Sequence, residues 1–340
     1  MNKASLYIAL AVFFLGCRLD QEELLVPNNE AYIFEIPAHF PVPPVPESNP
    51  MTVKKVALGR LLFHDVRLSR DGTVSCASCH LQHLAFSDAE TISIGIEQRE
   101  GLRNSPSLAN VAFQQRLFYD GGVPNLEMQI LAPIGDENEM DHNILLASED
   151  LDADPELHQL SMEVFDQGIN PFTLTRSIAA YERTIISANS RYDQFLAGQI
   201  DLSQEEEAGR ELFFSEEIGC GSCHTGVLLT DFAYSNVGQY NSYSDPGRER
   251  ITFDENDIGK FKTPSLRNIE YTAPYFHDGS FETLEEVIDF FATGGSDHMN
   301  KDPRLSAFSI NDEEKEQLIA FLKTLSDPYL LINPEHQTQE

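Results

Sequence analysis

Apolar residues at Val53, Val56, Ala57 and Leu61 recur with helical spacing and predict a helix from Thr52 to Phe63. Ser203 with Glu206 forms a capping-box pattern that opens a second helix, reaching about Phe214. Thr283 with Glu286 repeats the signature and opens a helix to about Ala292. Asn311 caps a last amphipathic helix through Leu325, with Leu318, Phe321, Leu322 and Leu325 on one face. The longest helical pattern runs from Thr173 to Leu196 and stops at Gly198, which predicts one long helix joining two halves. Few strands are evident. The expected fold class is therefore mainly α. Between Pro41 and Pro46 the chain reads Pro-Val-Pro-Pro-Val-Pro, which suits neither helix nor sheet. Residues 18–50 read as an extended tether, with ordered structure beginning near Asn49 or Pro50.

The chain then repeats itself. Gly59-Arg60-Leu61-Leu62-Phe63 has a counterpart in Gly209-Arg210-Glu211-Leu212-Phe213. Downstream, Pro106-Ser107-Leu108 leads to Asn110 and then Phe118-Tyr119-Asp120-Gly121. In the second half Pro264-Ser265-Leu266 leads to Asn268 and then Phe276-His277-Asp278-Gly279. Pro and Asp are fourteen residues apart in both copies. Such register over two halves implies duplication, and it divides the chain into domains at 51–200 and 201–335.

The chemistry sits between these landmarks. Cys76-Ala-Ser-Cys79-His80 and Cys220-Gly-Ser-Cys223-His224 are both Cys-x-x-Cys-His, the pattern that attaches c-type haem. Two thiols three residues apart add to the vinyl groups on one edge of a porphyrin, and the next His ligates the iron from one face. A single string could be half a zinc site or a redox dithiol; two, each followed by His, make tandem cytochrome-c-like haem domains the expected architecture. The fifth cysteine, Cys17, follows the apolar run Leu6–Leu15 and Gly16, with Lys3 ahead of it. Residues 1–17 read as a lipoprotein-type signal peptide with Cys17 as the lipidated residue, although Phe14 stands where such signals usually carry Leu. The apolar run is too short to span a bilayer. Membrane contact is expected only through that lipid, and the location is expected to be the periplasm or cell envelope. About 320 residues remain, enough for two domains with cores. The net charge of -32, from 23 basic and 55 acidic residues, argues against nucleic acid and anionic lipid surfaces.

Taken together, Gly59-Arg60, Phe63, Leu68-Ser69, Ser75 to His80, Ala85-Phe86, Arg103-Asn104-Ser105-Pro106-Ser107-Leu108, Asp120-Gly121, Leu126-Glu127, Gln129, Pro133, Glu139-Met140, Cys220 to His224, Thr263 to Asn268, Ala273 to Gly279 and Leu284 resemble the bacterial dihaem cytochrome c peroxidases and their relative MauG. The resemblance covers about residues 40 to 330 and implies a division of labour. Peroxide reacts at the N-terminal haem on His80. The C-terminal haem on His224 receives electrons from a small donor such as a c-type cytochrome. Hydrogen peroxide becomes water. Glu139 matches the catalytic acid that moves the proton, and Gln129 matches a polar residue of the same pocket. The family also implies one calcium ion held by Asn104 and the carbonyls of Thr272 and Pro274. Family peroxidases are often dimers, so a homodimer is a possible assembly.

Three positions depart from the pattern. Many relatives carry a His sixteen residues after the first haem His, where it blocks the iron; here the residue is Ile96, which implies an open first haem. Tyr119 stands where the family places a Trp between the haems, and either carries a hole or packs as an ordinary aromatic. Phe291 occupies the usual sixth-ligand position of the second haem, leaving Met299 as the nearest sulfur, His298 as a lesser candidate, or no protein ligand. Two other functions stay open: a MauG-like oxidase acting on a protein or organic substrate, and a dihaem electron-transfer cytochrome without catalysis.

Overall fold

The computed structural model describes residues 29–337. Cys17 and the signal-like segment lie outside them. Twelve α-helices occur among the described residues: α1 (Val53–Phe63), α2 (Cys76–Cys79), α3 (Leu126–Gln129), α4 (Leu131–Gly135), α5 (Ile144–Asp152), α6 (Pro155–Phe165), α7 (Pro171–Glu182), α8 (Arg191–Leu196), α9 (Gln204–Phe214), α10 (Glu249–Thr252), α11 (Leu284–Ala292) and α12 (Asp312–Lys323). The two short strands β1 (Tyr234–Ser235) and β2 (Phe261–Lys262) pair antiparallel. The rest is turns and short 3-10 pieces, as expected of chains wrapped round a flat prosthetic group.

The helix starts follow the caps read from the sequence. Thr52 accepts the Lys55 amide, and Ser203, Thr283 and Asn311 each form a full capping box with the residue three positions on. The buried face of α1 differs from the apolar spacing noted above. Lys55, Leu58, Gly59, Leu62 and Phe63 point inward, whereas Leu61 is exposed. Lys55 is tolerated inside because its ammonium donates to the Asn49 side chain at 3.0 Å and the Pro50 carbonyl at 2.6 Å.

Two hydrophobic cores form, one per half. The first gathers Leu58, Leu62, Phe63, Phe86, Ile96, Ile130, Ile178 and Tyr181; the second gathers Tyr192, Phe213, Leu284, Ile288, Phe321 and Leu322. Each is nucleated by a close helix pair. A Cβ at Gly59 on α1 would overlap the Ser177 carbonyl of α7, and a Cβ at Gly209 on α9 would overlap the Gln317 carbonyl of α12. Glycine is required at both sites for that approach.

The expected Thr173–Leu196 helix is broken. α7 ends at Glu182, and Ile185 leaves the helix to accept the Asn110 amide at 2.8 Å. The Asn110 side chain closes on both groups of Ser187, accepting its N–H at 3.0 Å and donating to its carbonyl at 2.9 Å. The chain restarts as α8 with a Ser190–Asp193 capping box. Tyr192 belongs to the second core, so the physical boundary falls near 188–190 rather than at 200. The second half repeats the clamp: Asn268 donates to the Leu325 carbonyl at 3.1 Å and accepts the Asp327 amide at 2.8 Å. Asn110 and Asn268 adopt φ of 60° and 61°, a conformation Asn tolerates better than most residues.

Residues 31–50 are not a free tether. Ala31 pairs with Thr52, Asn49 is fully buried, and Phe40 packs on Phe113 with Arg267 over its ring. Proline-rich backbone has little conformational entropy left to lose, so few contacts suffice to dock it. The C-terminal tail also crosses over. Leu330 joins the first core, and the Gln82 amide donates to the carbonyls of Leu330 and Asn333 at 3.0 and 2.8 Å.

Candidate haem sites and the groups around them

Each Cys-x-x-Cys-His string forms one helical turn closed by a hydrogen bond from the His amide to the first Cys carbonyl, at 3.0 Å in both copies. His80 Nδ1 donates to the Phe86 carbonyl at 2.9 Å, and His224 Nδ1 to the Leu229 carbonyl at 3.0 Å. That bond fixes the tautomer and leaves Nε2 with its lone pair free for a metal. Burial lowers the pKa of both rings, that of His80 to about 4, so each is neutral. No disulfide engages Cys76, Cys79, Cys220 or Cys223, and burial pushes the thiols of Cys79 and Cys220 up to about 12. Unpaired thiols and a neutral, oriented imidazole are the donor set that covalent haem requires; the residues present fit two such groups.

Around the first string the structure gathers Glu139. Cys79 Sγ lies 3.9 Å from the Ile94 carbonyl, and the Ile96 amide donates to the Glu139 carbonyl at 2.8 Å. Glu139 is exposed, yet desolvation by the surrounding protein and the charge of Asp136 push its carboxyl up to about 7. Ile96 itself is fully buried and offers no ligating atom. Gln129 ends α3, half-buried. Sequence reasoning missed the contacts that hold the segment on either side of Glu139. Arg99 donates to the Glu137 carbonyl at 2.6 Å and pairs with Asp141 at 3.0 Å, and Arg70 pairs with Asp141 at 2.9 Å. It also missed Glu182, a buried carboxyl raised to about 8 by desolvation.

A hydrogen-bonded seam joins the halves. The Tyr119 hydroxyl donates to Asn104 Oδ1 at 3.3 Å, and the Asn104 amide donates to the His277 carbonyl at 2.9 Å. The Lys262 amide donates to the Tyr119 carbonyl at 2.7 Å. His277 stacks on Phe261 with centroids 3.7 Å apart. Arg103 bridges the same seam, binding Asp120 at 2.7 Å and both oxygens of Asp245 at 2.6 and 2.9 Å. Asn104 is buried beside this seam, and Thr272 and Pro274 lie on the segment leading to His277. No group of three or more His, Cys, Asp or Glu forms a metal cluster among the described residues. An amide oxygen and two carbonyls are a donor set that suits a hard cation with retained waters.

Met299 is 89 % exposed, in a loop. Its sulfur does not face the second core, and His298 Nδ1 is taken by the Asn236 amide and the Asn300 N–H, each at 3.1 Å. Phe291 instead packs with Phe276 and Phe290, which Phe281 joins in one aromatic cluster.

Comparison with known proteins decides the kinship. Residues 53–201 match the family described as di-haem cytochrome c peroxidase. The chain is 34% identical to cytochrome-c peroxidase IdrP1 of Denitromonas iodatirespirans over 337 residues, covering 87% of this chain and 88% of that one. It belongs to the dihaem cytochrome c peroxidase and MauG family. It is also 32% identical to methylamine utilization protein MauG of Methylorubrum extorquens, over 86% of this chain and 84% of the relative. A solved structure of a MauG-like protein associated with microbial copper homeostasis superposes with a TM-score of 0.87 at 36% identity, covering 90% of this chain and 99% of that one. Family membership brings two c-type haems, and Cys76, Cys79 and His80 and Cys220, Cys223 and His224 are the residues that would hold them. No described helix is long and apolar enough to cross a membrane.

Proposed function

We propose that the protein reduces hydrogen peroxide to water at the first haem, with electrons entering at the second from a small c-type cytochrome outside the cytoplasm. The observation that carries this reading is Glu139: a carboxyl raised to about 7, close to Cys76 and Cys79 of the first Cys-x-x-Cys-His string, on a backbone held by the Ile96 amide. Near neutral pH such a group is present in both protonation states, so it takes a proton from bound peroxide and returns one to the departing oxygen. When bound, the first haem supplies the iron that binds peroxide and the store of oxidising equivalents. Gln129 offers an amide to the same pocket, and Ile96 leaves it without a blocking ligand. Tyr119 carries the hole between the halves, since its hydroxyl and carbonyl are both fixed in the seam. Calcium at Asn104, Thr272 and Pro274 stiffens that seam. The lipid anchor at Cys17 and a homodimer remain part of this proposal on sequence grounds.

Steady-state turnover with hydrogen peroxide and reduced cytochrome c tests the reading. Fast, sustained donor oxidation is expected. Peroxide-oxidised haem that decays without oxidising the cytochrome favours the MauG-like alternative, which Ile96, Phe291 and the likeness to a MauG-like structure support. Failure of either haem to bind cyanide or carbon monoxide would leave only an electron carrier.

A further inference from the structure

A nest of aromatic side chains beside the first haem string has no part in the chemistry above. Tyr181 on α7 is fully buried, with its ring 5.1 Å from Phe63, 5.7 Å from His336 and 6.4 Å from His64. Three polar atoms in this nest, the Tyr181 hydroxyl, His64 Nε2 and His336 Nδ1, are buried without a hydrogen-bond partner among the described residues. Buried polar groups are ordinarily paired, because an unmet one costs stability.

The duplication supplies a control. Gly209 makes the same helix contact in the second half as Gly59 does in the first, meeting Phe321 where Gly59 meets Tyr181. Phe214 follows Phe213 as His64 follows Phe63. Phe213, Phe214 and Phe321 pack with centroids 4.9 to 6.1 Å apart, all hydrocarbon. The packing therefore asks for aromatic volume and not for a hydroxyl or imidazole nitrogens. Only the half assigned to peroxide carries them. This nest also reaches the haem ligand. Phe86, whose carbonyl holds His80, places its ring 5.4 Å from His336 and 6.4 Å from Phe63. The tail closes the nest from outside, with Arg60 donating to the Glu335 carbonyl at 3.1 Å.

We propose that Tyr181 is a redox-active tyrosine that drains the first haem when peroxide arrives faster than donor electrons. The proposal rests on the reading that peroxide reacts at that haem. Tyr181 gives one electron to the peroxide-oxidised haem, its O–H bond breaks, and, because the hydroxyl has no hydrogen-bond partner at rest among the described residues, a small ring rotation carries the proton to His64 Nε2 or His336 Nδ1, where an N–H bond forms. The products are a neutral phenoxyl radical, an imidazolium and a haem lowered by one oxidising equivalent. A later donor electron and the returning proton restore the phenol. Both imidazoles are available as acceptors because burial keeps them neutral. Exclusion of water shields the radical from side reactions.

The test treats the dihaem holoenzyme with hydrogen peroxide in the absence of donor, followed by freeze-quench electron paramagnetic resonance. Ring-deuterated tyrosine identifies the radical. The tyrosyl signal is expected in the wild type, retained in Tyr119→Phe and lost in Tyr181→Phe, whose oxidised haem should decay more slowly. His64→Phe combined with His336→Phe should lower the signal while leaving Tyr181 in place. An undiminished signal in Tyr181→Phe, its loss in Tyr119→Phe instead, or an oxidised haem with no tyrosyl signal would each overturn the assignment. If peroxide leaves the haem absorption unchanged, the peroxidatic reading fails first and takes this one with it.

Discussion

The two halves are built on one plan and differ where chemistry is expected. Both have a glycine-mediated helix pair, an αL asparagine clamp, a Cys-x-x-Cys-His turn and a left-handed Phe two residues before an Asp. The first half adds Glu139 and Gln129 and the Tyr181–His64–His336 nest. At the second half's equivalents of Gln129, Tyr181 and His64 stand Val287, Phe321 and Phe214. The comparison teaches that shared contacts carry the fold, and that polar atoms added to one copy mark function, because packing alone does not require them.

The largest expected effect breaks the division of labour outright. His224→Gly should abolish oxidation of reduced cytochrome c while peroxide still bleaches the first haem; surviving donor oxidation would reverse the assignment of the halves. Next is Glu139→Gln, which keeps volume and loses the base. Turnover should fall by about 10²–10⁴-fold with peroxide still binding, and stopped-flow formation of oxidised haem at the wild-type rate would remove Glu139 from the mechanism. The same carboxyl sets a pH profile. Its ionised form accepts the proton, and its pKa is raised to about 7. The rate of haem oxidation by peroxide should therefore be flat above pH 7 and fall about tenfold per unit well below it, a limb that Glu139→Gln should lack.

Smaller effects probe the shared plan. Gly59→Ala and Gly209→Ala should each destabilise by about 1–3 kcal/mol through overpacking, read as similar losses in thermal midpoint. Unequal losses would show that the helix pairs are not equivalent. The smallest effects come from exchanging one oxygen. Phe321→Tyr buries an unmet hydroxyl and should cost about 1–3 kcal/mol, whereas Tyr181→Phe should leave stability equal or higher. A loss of stability in Tyr181→Phe would mean that its hydroxyl is paired in solution.

Much was legible because it is local. The haem strings, the four helix caps and the duplication are short-range patterns, and each appears where the residues placed it. Glu139 was legible only by register with relatives; nothing in Asp136-Glu137-Asn138-Glu139 distinguishes one acid, and the structure adds a carboxyl pKa raised to about 7 and a backbone held by the Ile96 amide. Periodicity places a helix but cannot say which side meets a partner, so α1 turned Leu58 and Leu62 inward and left Leu61 out. Nor does it register a competing residue from far along the chain, and Asn110 ended the Thr173–Leu196 pattern by holding Ile185 with its backbone amide and Ser187, 77 residues away, with its side chain. Met299 was the nearest sulfur along the chain, yet its loop carries it into solvent. The docked proline segment, the returning tail and the partnerless Tyr181 nest depend on surfaces that exist only once both halves have packed. The sequence alone determined which chemistry this protein holds; the tertiary structure decided which side chains surround it, because burial and hydrogen-bond competition are properties of the assembled whole.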